Sequence, residues 1–204
     1  MYKYFLNYLE KFNDDEEIFS DSEKSFTKLK VKDLLDNLNK DIYKNDLVVG
    51  ILLDRGIDYI LIYILFLSIG VTVVPLNNSW NMEYLEFVIN ESEINTIFLN
   101  NKNKNQYHFD SLINIYLIED LLDNKFSLKK VNYESKKKSI AYIVFTSGTT
   151  GVPKGVQISK KSLLNYYKNF PEDKFLGKEG FHLITGEVNF DIILADIVIC
   201  LKNF

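Results

Sequence analysis

The ten residues from Thr146 to Gly155 combine the residue types that bind phosphate. They read Thr-Ser-Gly-Thr-Thr-Gly-Val-Pro-Lys-Gly, with four hydroxyl side chains, three glycines and the cation Lys154. Glycines let backbone N–H groups turn toward one point, hydroxyls add further donors and a lysine adds charge, which together make an anion-binding nest. Two or three charge-assisted hydrogen bonds of about 1.5–3 kcal/mol each could hold a triphosphate at micromolar to millimolar affinity. We therefore expect a polyphosphate ligand.

The spacing within this segment excludes two better-known nucleotide loops. Neither Gly148 nor Gly151 is followed five residues later by Gly-Lys-Ser/Thr, so the segment is not a Walker A motif. A Gly-x-Gly-x-x-Gly dinucleotide fingerprint is also absent. The remaining alternative is a Gly/Thr hairpin turn that binds nothing. Ten consecutive residues of these types, with a cation behind Pro153, favour the phosphate loop.

The elements on either side of this loop are predicted to be strands. Residues 139–145 are apolar at alternating positions on both faces, with Ile140, Tyr142 and Val144 on one face and the residues between them on the other. Such a strand lies inside a sheet. Residues 156–158 form a second predicted strand, so a buried strand delivers the hydroxyl-rich loop.

The rest of the chain alternates short β-branched runs with longer apolar stretches, which is typical of a parallel sheet flanked by helices. The fold class is therefore α/β. Strands are predicted at 47–53, 71–75 and 95–99, and helices at 27–39, 57–69, 81–91, 159–167 and 192–201. The polar residues 100–105 are expected to form a surface loop without chemistry, and Ser159 to cap the helix that follows it.

Composition excludes several functional classes. The chain has 204 residues, 47% of them hydrophobic, which is enough for a folded core. A formal net charge of −4 makes nucleic acid an unexpected partner, and one cysteine with two histidines predicts neither a disulfide nor a bound metal. Acidic residues at 14–17 are incompatible with a secretory leader, so we expect a cytoplasmic protein. The apolar run 59–76 is interrupted by Gly70 and Pro75, which favours a buried helix and strand over a membrane span.

The segment Tyr142–Val156 resembles the signature loop of the AMP-forming adenylating superfamily. Three other segments resemble this family in the same order and spacing: 26–38, 65–76 and 82–91. The resemblance covers the chain from about Phe26 to its end and is closest to the amino-acid adenylation domains of nonribosomal peptide synthetases and to D-alanine carrier-protein ligases. It implies that residues 1–204 are an incomplete N-terminal large domain of the adenylate-forming fold, with the C-terminal subdomain absent.

The resemblance also implies a reaction. A carboxylic acid attacks the α-phosphate of ATP bound with Mg²⁺, pyrophosphate leaves, and the acyl-adenylate then passes its acyl group to coenzyme A or to a phosphopantetheine carrier protein. Lys154 would be the catalytic residue that neutralises the departing pyrophosphate. The residues implied to bind the β- and γ-phosphates of ATP are Thr146, Ser147, Gly148, Thr149, Thr150, Gly151 and Lys154.

A second resemblance concerns the substrate. Residues 188–197 resemble the Phe-Asp-x-Ser element of members that activate amino acids, in which the aspartate pairs with the substrate's α-ammonium. This implies that Asp191 binds the substrate, and a carboxylate in an apolar pocket would favour amino acids over fatty acids. The alternative is that Asp191 caps the N-terminus of the helix 192–201.

Three functions remain open from the sequence. The first is a fragment of an amino-acid-adenylating ligase, the second a fragment of an acyl- or aryl-CoA ligase, and the third a non-catalytic remnant that acts as an interaction module. Later family elements, including the ribose-binding aspartate and the distal catalytic lysine, have no counterpart in these 204 residues. We therefore expect the chain by itself neither to adenylate nor to hold ATP tightly.

Overall fold

A computed structural model of the chain describes residues 1–42, 47–123, 125, 139–146, 153–170 and 192–203. The strands are β1 (Glu17–Ser20), β2 (Ser25–Thr27), β3 (Val48–Leu52), β4 (Thr72–Pro75), β5 (Thr96–Leu99), β6 (Asn114–Leu117), β7 (Ile140–Thr146) and β8 (Lys154–Ser159). The helices are α1 (Tyr2–Leu9), α2 (Lys28–Ile42), α3 (Ile57–Ile69), α4 (Met82–Ser92), α5 (Asn101–Gln106), α6 (Ile118–Leu122), α7 (Lys160–Asn169) and α8 (Ile192–Asn203).

Six of these strands form one sheet in the spatial order β6, β5, β3, β4, β7, β8. All neighbouring pairs from β6 to β7 are parallel, and β8 runs antiparallel to β7. The prediction of an α/β fold with a parallel sheet flanked by helices is confirmed. Strands β1 and β2 form a separate antiparallel pair. Because parallel strands end at one edge of a sheet, the loops after β3, β4, β5 and β7 share that edge.

Helix α3 and strand β4 explain the long apolar run in the sequence. Eleven of the thirteen residues of α3 are buried, and β4 is buried throughout. Gly70 ends the helix in the left-handed region at φ 83°, where a side chain would be strained, and its N–H bonds the carbonyls of Phe66 and Leu67. No helix in the described part of the chain is long and apolar enough to cross a membrane.

The sheet separates two clusters of buried apolar residues. The larger cluster packs β3 and β7 side chains against α1, α2, α3 and α8, and the other packs them against α4. Along β7, Tyr142 and Val144 join the first cluster, whereas Ile143 and Phe145 join the second, as the alternation predicts. The prediction is wrong at the start of the strand, where a register shift between Ile140 and Tyr142 turns Ala141 to the larger cluster and leaves Ile140 packed against the other.

Local capping explains where α4 and α7 begin. Asn81 accepts a hydrogen bond from the Tyr84 N–H at 2.8 Å and starts α4, one residue inside the predicted boundary. Ser159 accepts one from the Ser162 N–H at 3.0 Å and caps α7, as predicted. The sequence analysis did not predict α1, β1, β2, β6 or α6. Of these, α1 packs against α2, α3 and α8 and so closes one side of the larger cluster.

Candidate functional site

The predicted phosphate segment lies on the hairpin formed by β7 and β8. Thr146 and Lys154 are register partners at the end of this antiparallel ladder where the chain passes from β7 to β8, and both are exposed. The chain from 147 to 153 connects them. Since Thr146 is the last residue of β7, the segment starts from the sheet edge at which the parallel strands end. The structure therefore brings together a hydroxyl and an ammonium group where α/β proteins bind their ligands.

Several predicted site residues lie outside the described residues. In the phosphate segment these are Ser147, Gly148, Thr149, Thr150 and Gly151, and in the substrate element it is Asp191. Their proposed roles remain predictions from the sequence. Helix α8 itself begins at Ile192, directly after Asp191, and buries Ile193 and Ile197 against the larger cluster.

A polar network that the sequence analysis missed occupies another part of this edge. Asp54 follows β3 and accepts hydrogen bonds from the Asn78 side-chain amide at 2.6 Å and from the Lys102 ammonium at 3.0 Å. These two bonds, the lysine first, lower the pKa of the Asp54 carboxyl below its ordinary value. The Tyr107 hydroxyl donates to the Asn78 carbonyl at 2.7 Å, so the loops after β3, β4 and β5 are joined to each other.

The expectation that residues 100–105 form an inert surface loop is wrong. They form most of α5, because the Asn100 side chain accepts a hydrogen bond from the Asn103 N–H at 2.8 Å and caps the helix. Asn103 is fully buried, and its side-chain amide donates to the Leu52 carbonyl at 2.8 Å and to the Asn78 side chain at 3.1 Å. A buried polar side chain needs such partners, which here come from distant parts of the chain.

A cavity of about 570 Å³ opens at the same edge between the ends of β3 and β5. The β1–β2 turn also borders it, where the Asp21 carboxylate accepts the N–H groups of Glu23 and Lys24, which lower its pKa. Its charged lining residues are the acidic Asp21, Glu23, Asp54, Asp58 and Glu119 and the basic Lys24 and Arg55. This acidic lining disfavours polyphosphate in the cavity. The described residues contain no group of three or more side chains suited to hold a metal ion.

A second cavity, of about 460 Å³, lies beside the hairpin and under α8. It is mostly apolar and is formed by β7, β8, α7 and α8, with the lining residues Tyr142, Ile158, Ser162, Leu163, Tyr166, Leu194 and Ala195. This cavity and the phosphate segment are thus built on the same two strands. An apolar side chain bound in it would lie next to the strand that delivers Thr146.

A family model for AMP-binding enzymes matches residues 34–199, which is most of the chain. The chain belongs to the AMP-binding enzyme family. The matched range includes both the phosphate segment and the start of α8, so the resemblance drawn from Tyr142–Val156 is confirmed at the level of the family.

Curated relatives of the chain are much longer proteins. The chain is 24% identical over 87% of its length to the nonribosomal peptide synthetase AgiA of Aspergillus flavus, and 30% identical over 69% of its length to tyrocidine synthase 3 of Brevibacillus parabrevis. It spans 2% of the length of each of these relatives.

Solved structures share the fold of this chain. The N-terminal subdomain of NpsA from Klebsiella oxytoca superposes with a TM-score of 0.74 at 18% identity, covering 98% of this chain and 52% of that one. The nonribosomal peptide synthetase FmoA3, solved with alpha-methyl-L-serine-AMP, gives a TM-score of 0.75 at 13% identity and covers 98% and 22% of the two chains. The described fold thus corresponds to about half of a solved N-terminal subdomain.

Proposed function

We propose that this chain is the N-terminal part of an AMP-forming ligase that activates a carboxylic acid, specifically an amino acid, as its acyl-adenylate. The observation that carries the proposal is the exposed pair Thr146 and Lys154. These residues stand at the two ends of a hydroxyl- and glycine-rich segment, at the ligand-binding edge of the sheet. Membership of the AMP-binding family supports ATP as the source of the phosphate.

The proposed chemistry assigns separate roles to this segment and to Lys154. A carboxylate oxygen of the substrate forms a bond to the α-phosphorus of ATP, while the bond from that phosphorus to the oxygen bridging to the β-phosphate breaks. The leaving pyrophosphate gains negative charge, which the Lys154 ammonium stabilises. Thr146, Ser147, Gly148, Thr149, Thr150 and Gly151 donate hydrogen bonds to the β- and γ-phosphates. Mg²⁺ arrives as part of the Mg·ATP substrate.

An amino-acid substrate is proposed on the basis of Asp191 and of the relatives. Asp191 directly precedes α8 in the chain, and Leu194 and Ala195 of α8 line the 460 Å³ cavity. In this proposal the Asp191 carboxylate binds the α-ammonium of an amino acid whose side chain enters that cavity. The peptide synthetases among the relatives are consistent with this substrate class. An aryl acid is the second candidate, because the NpsA subdomain was solved with 3-hydroxybenzoyl-AMSN.

Two further proposals concern the rest of the enzyme. The acyl acceptor is a phosphopantetheine carrier protein or coenzyme A, since an acyl-adenylate is consumed by attack of a nucleophile such as a thiol. Residues 1–204 are one partial AMP-binding domain, and adenylation requires the C-terminal subdomain as well. The chain covers 52% of the NpsA N-terminal subdomain, which supports the proposal that residues 1–204 are a partial domain.

The test of the reaction is ATP–pyrophosphate exchange by the full natural polypeptide that contains residues 1–204, driven by a set of amino acids. Lys154→Ala should slow exchange at least tenfold without unfolding the protein, because removing one well-placed donor costs about 2.7–4 kcal/mol of barrier. Lys161→Ala is the matched control, since Lys161 is an exposed lysine on α7 outside the segment. Equal exchange by the Lys154 and Lys161 variants would refute the catalytic role.

The same assay separates the substrate classes. Asp191→Ala should abolish exchange with amino acids, whereas a cap of α8 would leave substrate choice unchanged and lower only thermal stability. Exchange driven by benzoic acids, and insensitive to this substitution, would favour the aryl ligase. If no acid supports exchange, the non-catalytic interaction module is the remaining function.

A further inference from the structure

The strand pair below the phosphate segment contains an unusual contact between an aromatic ring and a glycine. Phe145 and Gly155 are register partners, one step before Thr146 and Lys154 in the ladder. A Cβ atom added to Gly155 would lie 3.0 Å from Cζ of Phe145 and 3.2 Å from Cγ2 of Ile143. The Phe145 ring therefore lies directly over the β8 backbone, a position that only glycine permits without displacement.

The ring also contacts one aromatic side chain of α4, Phe87, which belongs to a short series of aromatic contacts. Phe87 meets Phe145 edge to face, with ring centroids 6.2 Å apart and an interplanar angle of 80°. Tyr84 stacks on Phe87 at 6.3 Å, and Trp80 meets Tyr84 edge to face at 4.7 Å. Phe145 itself is 9% exposed. The ring thus contacts both helix α4, through Phe87, and strand β8, at Gly155.

Backbone pairing alone does not attach this end of the hairpin to the sheet. The ladder between β4 and β7 contains the single pair Val73 with Tyr142, so beyond Tyr142 strand β7 pairs only with β8 in the described part of the chain. Side-chain packing must then determine where the last residues of β7 lie relative to the body of the domain. Phe145 is the residue nearest to Thr146 that supplies such packing.

We propose that Phe145 and Gly155 act together as positioning residues for phosphate binding. With its ring in contact with Phe87 and Gly155, Phe145 sets where the Thr146 hydroxyl and the Lys154 ammonium lie relative to α4 and the sheet. This inference rests on the proposed phosphate role of the segment. Displacements of about 1 Å in such groups reduce rates and affinities by as much as a hundredfold, which gives the contact its functional weight.

The test is a titration of the 204-residue chain with inorganic tripolyphosphate, followed by the backbone amide signals of Thr146 and Lys154 in ¹H–¹⁵N NMR spectra. Gly155→Ala should shift both signals in the free protein and weaken tripolyphosphate binding at least tenfold. Gly56→Ala is the matched control, because a Cβ at Gly56 meets no atom within 4 Å and its extended backbone accepts any residue. The control should leave the free-protein signals of Thr146 and Lys154 and the affinity unchanged.

Two more variants separate positioning from stability. Phe145→Leu in the otherwise wild-type chain removes the ring but keeps an apolar side chain, so it should weaken tripolyphosphate binding severalfold. Phe87→Leu keeps the apolar contact but not the edge-to-face geometry, and should weaken binding about threefold even if Gly155→Ala fails to fold. A merely structural contact would lower the melting temperature of these variants without changing the affinity of the folded protein.

The outcomes distinguish this inference from the proposed function. If Gly155→Ala and Phe87→Leu bind tripolyphosphate as tightly as the wild-type chain does, the positioning role is overturned and the phosphate site remains intact. Absence of any tripolyphosphate-induced shift in the wild-type signals of Thr146 and Lys154 would overturn the phosphate site, and with it this inference. Weakened tripolyphosphate binding by the folded Gly155→Ala, Phe145→Leu and Phe87→Leu variants, with the Gly56→Ala control unchanged, would establish the positioning role.

Discussion

Asn103 has the most demanding environment of any polar side chain described here. It is fully buried, and its amide nitrogen bonds the carbonyl that ends β3 and the side chain of Asn78 after β4. One residue therefore connects three loops at the edge of the sheet from which the phosphate segment also starts. Replacing it leaves the Leu52 carbonyl without this donor.

We expect Asn103→Ala to lower the free energy of unfolding by about 1–3 kcal/mol, the cost of a buried acceptor left unsatisfied. Asn101→Ala, on the exposed side of the same helix, should change it by less than about 0.5 kcal/mol. Urea denaturation followed by circular dichroism measures both. Equal midpoints for the two variants would show that the Asn103 bonds contribute nothing to stability.

At the scale of single residues, the sequence shows groups whose members are neighbours in the chain. The residues of the segment 146–155 were identified because they follow one another in the chain, and the structure places the two described polar ones, Thr146 and Lys154, as partners. Asn103 and Asp54 were missed because their partners lie 51 and 24 residues away, at Leu52 and Asn78. Nothing in a polar run such as 100–105 indicates which of its amides will be buried.

Among the elements, α3 follows most directly from the sequence. Its predicted bounds, 57–69, are those observed, because an apolar run of this length between an acidic residue and Gly70 leaves few alternatives. It is buried on nearly all sides, since the sheet covers one face and α1 and α2 cover others. Phe66 is fully buried on this helix and contacts Phe98 of β5 at 4.8 Å between ring centroids.

Phe66→Ala should destabilise the fold by about 3–5 kcal/mol, because it removes a ring from the centre of the larger cluster and leaves a cavity. That is a large part of the roughly 5–15 kcal/mol that holds a domain together. Leu112→Ala, at a side chain that is 86% exposed, is the control and should cost less than about 0.5 kcal/mol. Thermal melts and urea titrations of both variants give the comparison, and a loss below 1 kcal/mol for Phe66→Ala would contradict the buried position of α3.

Other elements could not be predicted, for physical reasons. Strands β1 and β2 have four and three residues, mostly polar and partly exposed, so no hydrophobic pattern marks them. Helix α1 is rich in aromatic residues near the N-terminus and is stabilised by packing on three other helices, which the local sequence does not show. The irregular start of β7 depends on pairing with β8, and period-two alternation carries no sign of it.

In the molecule as a whole, the residues proposed to bind phosphate lie on a parallel sheet that is extended by one antiparallel strand. The family and the fold class were both available from the sequence, because the signature segment and the alternating apolar runs are continuous. The extent of the domain is a different matter. The chain spans about half of the solved NpsA subdomain. The surfaces that the other half forms in NpsA belong to that longer chain.

For residues 1–204 expressed alone, we expect no detectable ATP–pyrophosphate exchange with any amino acid, even at millimolar ATP. A phosphate segment supplies only part of the contacts that orient a carboxylate and an α-phosphate for reaction. Exchange is measured with radiolabelled pyrophosphate, and the Lys154→Ala variant provides the background. Exchange above that background would mean that this half of the subdomain already contains a complete adenylation site.

Strand β8 is joined to the described part of the sheet by one ladder, whereas β3 is joined by two. Amide hydrogen exchange should therefore be faster in β8 than in β3, since an outer strand opens without disturbing the centre. The proposed phosphate site then has one end on β7 and the other on β8, an outer strand of the described sheet. A polyphosphate bound to residues of both strands would disfavour the local opening of β8. Occupancy of the site would therefore be visible as slower amide hydrogen exchange in β8.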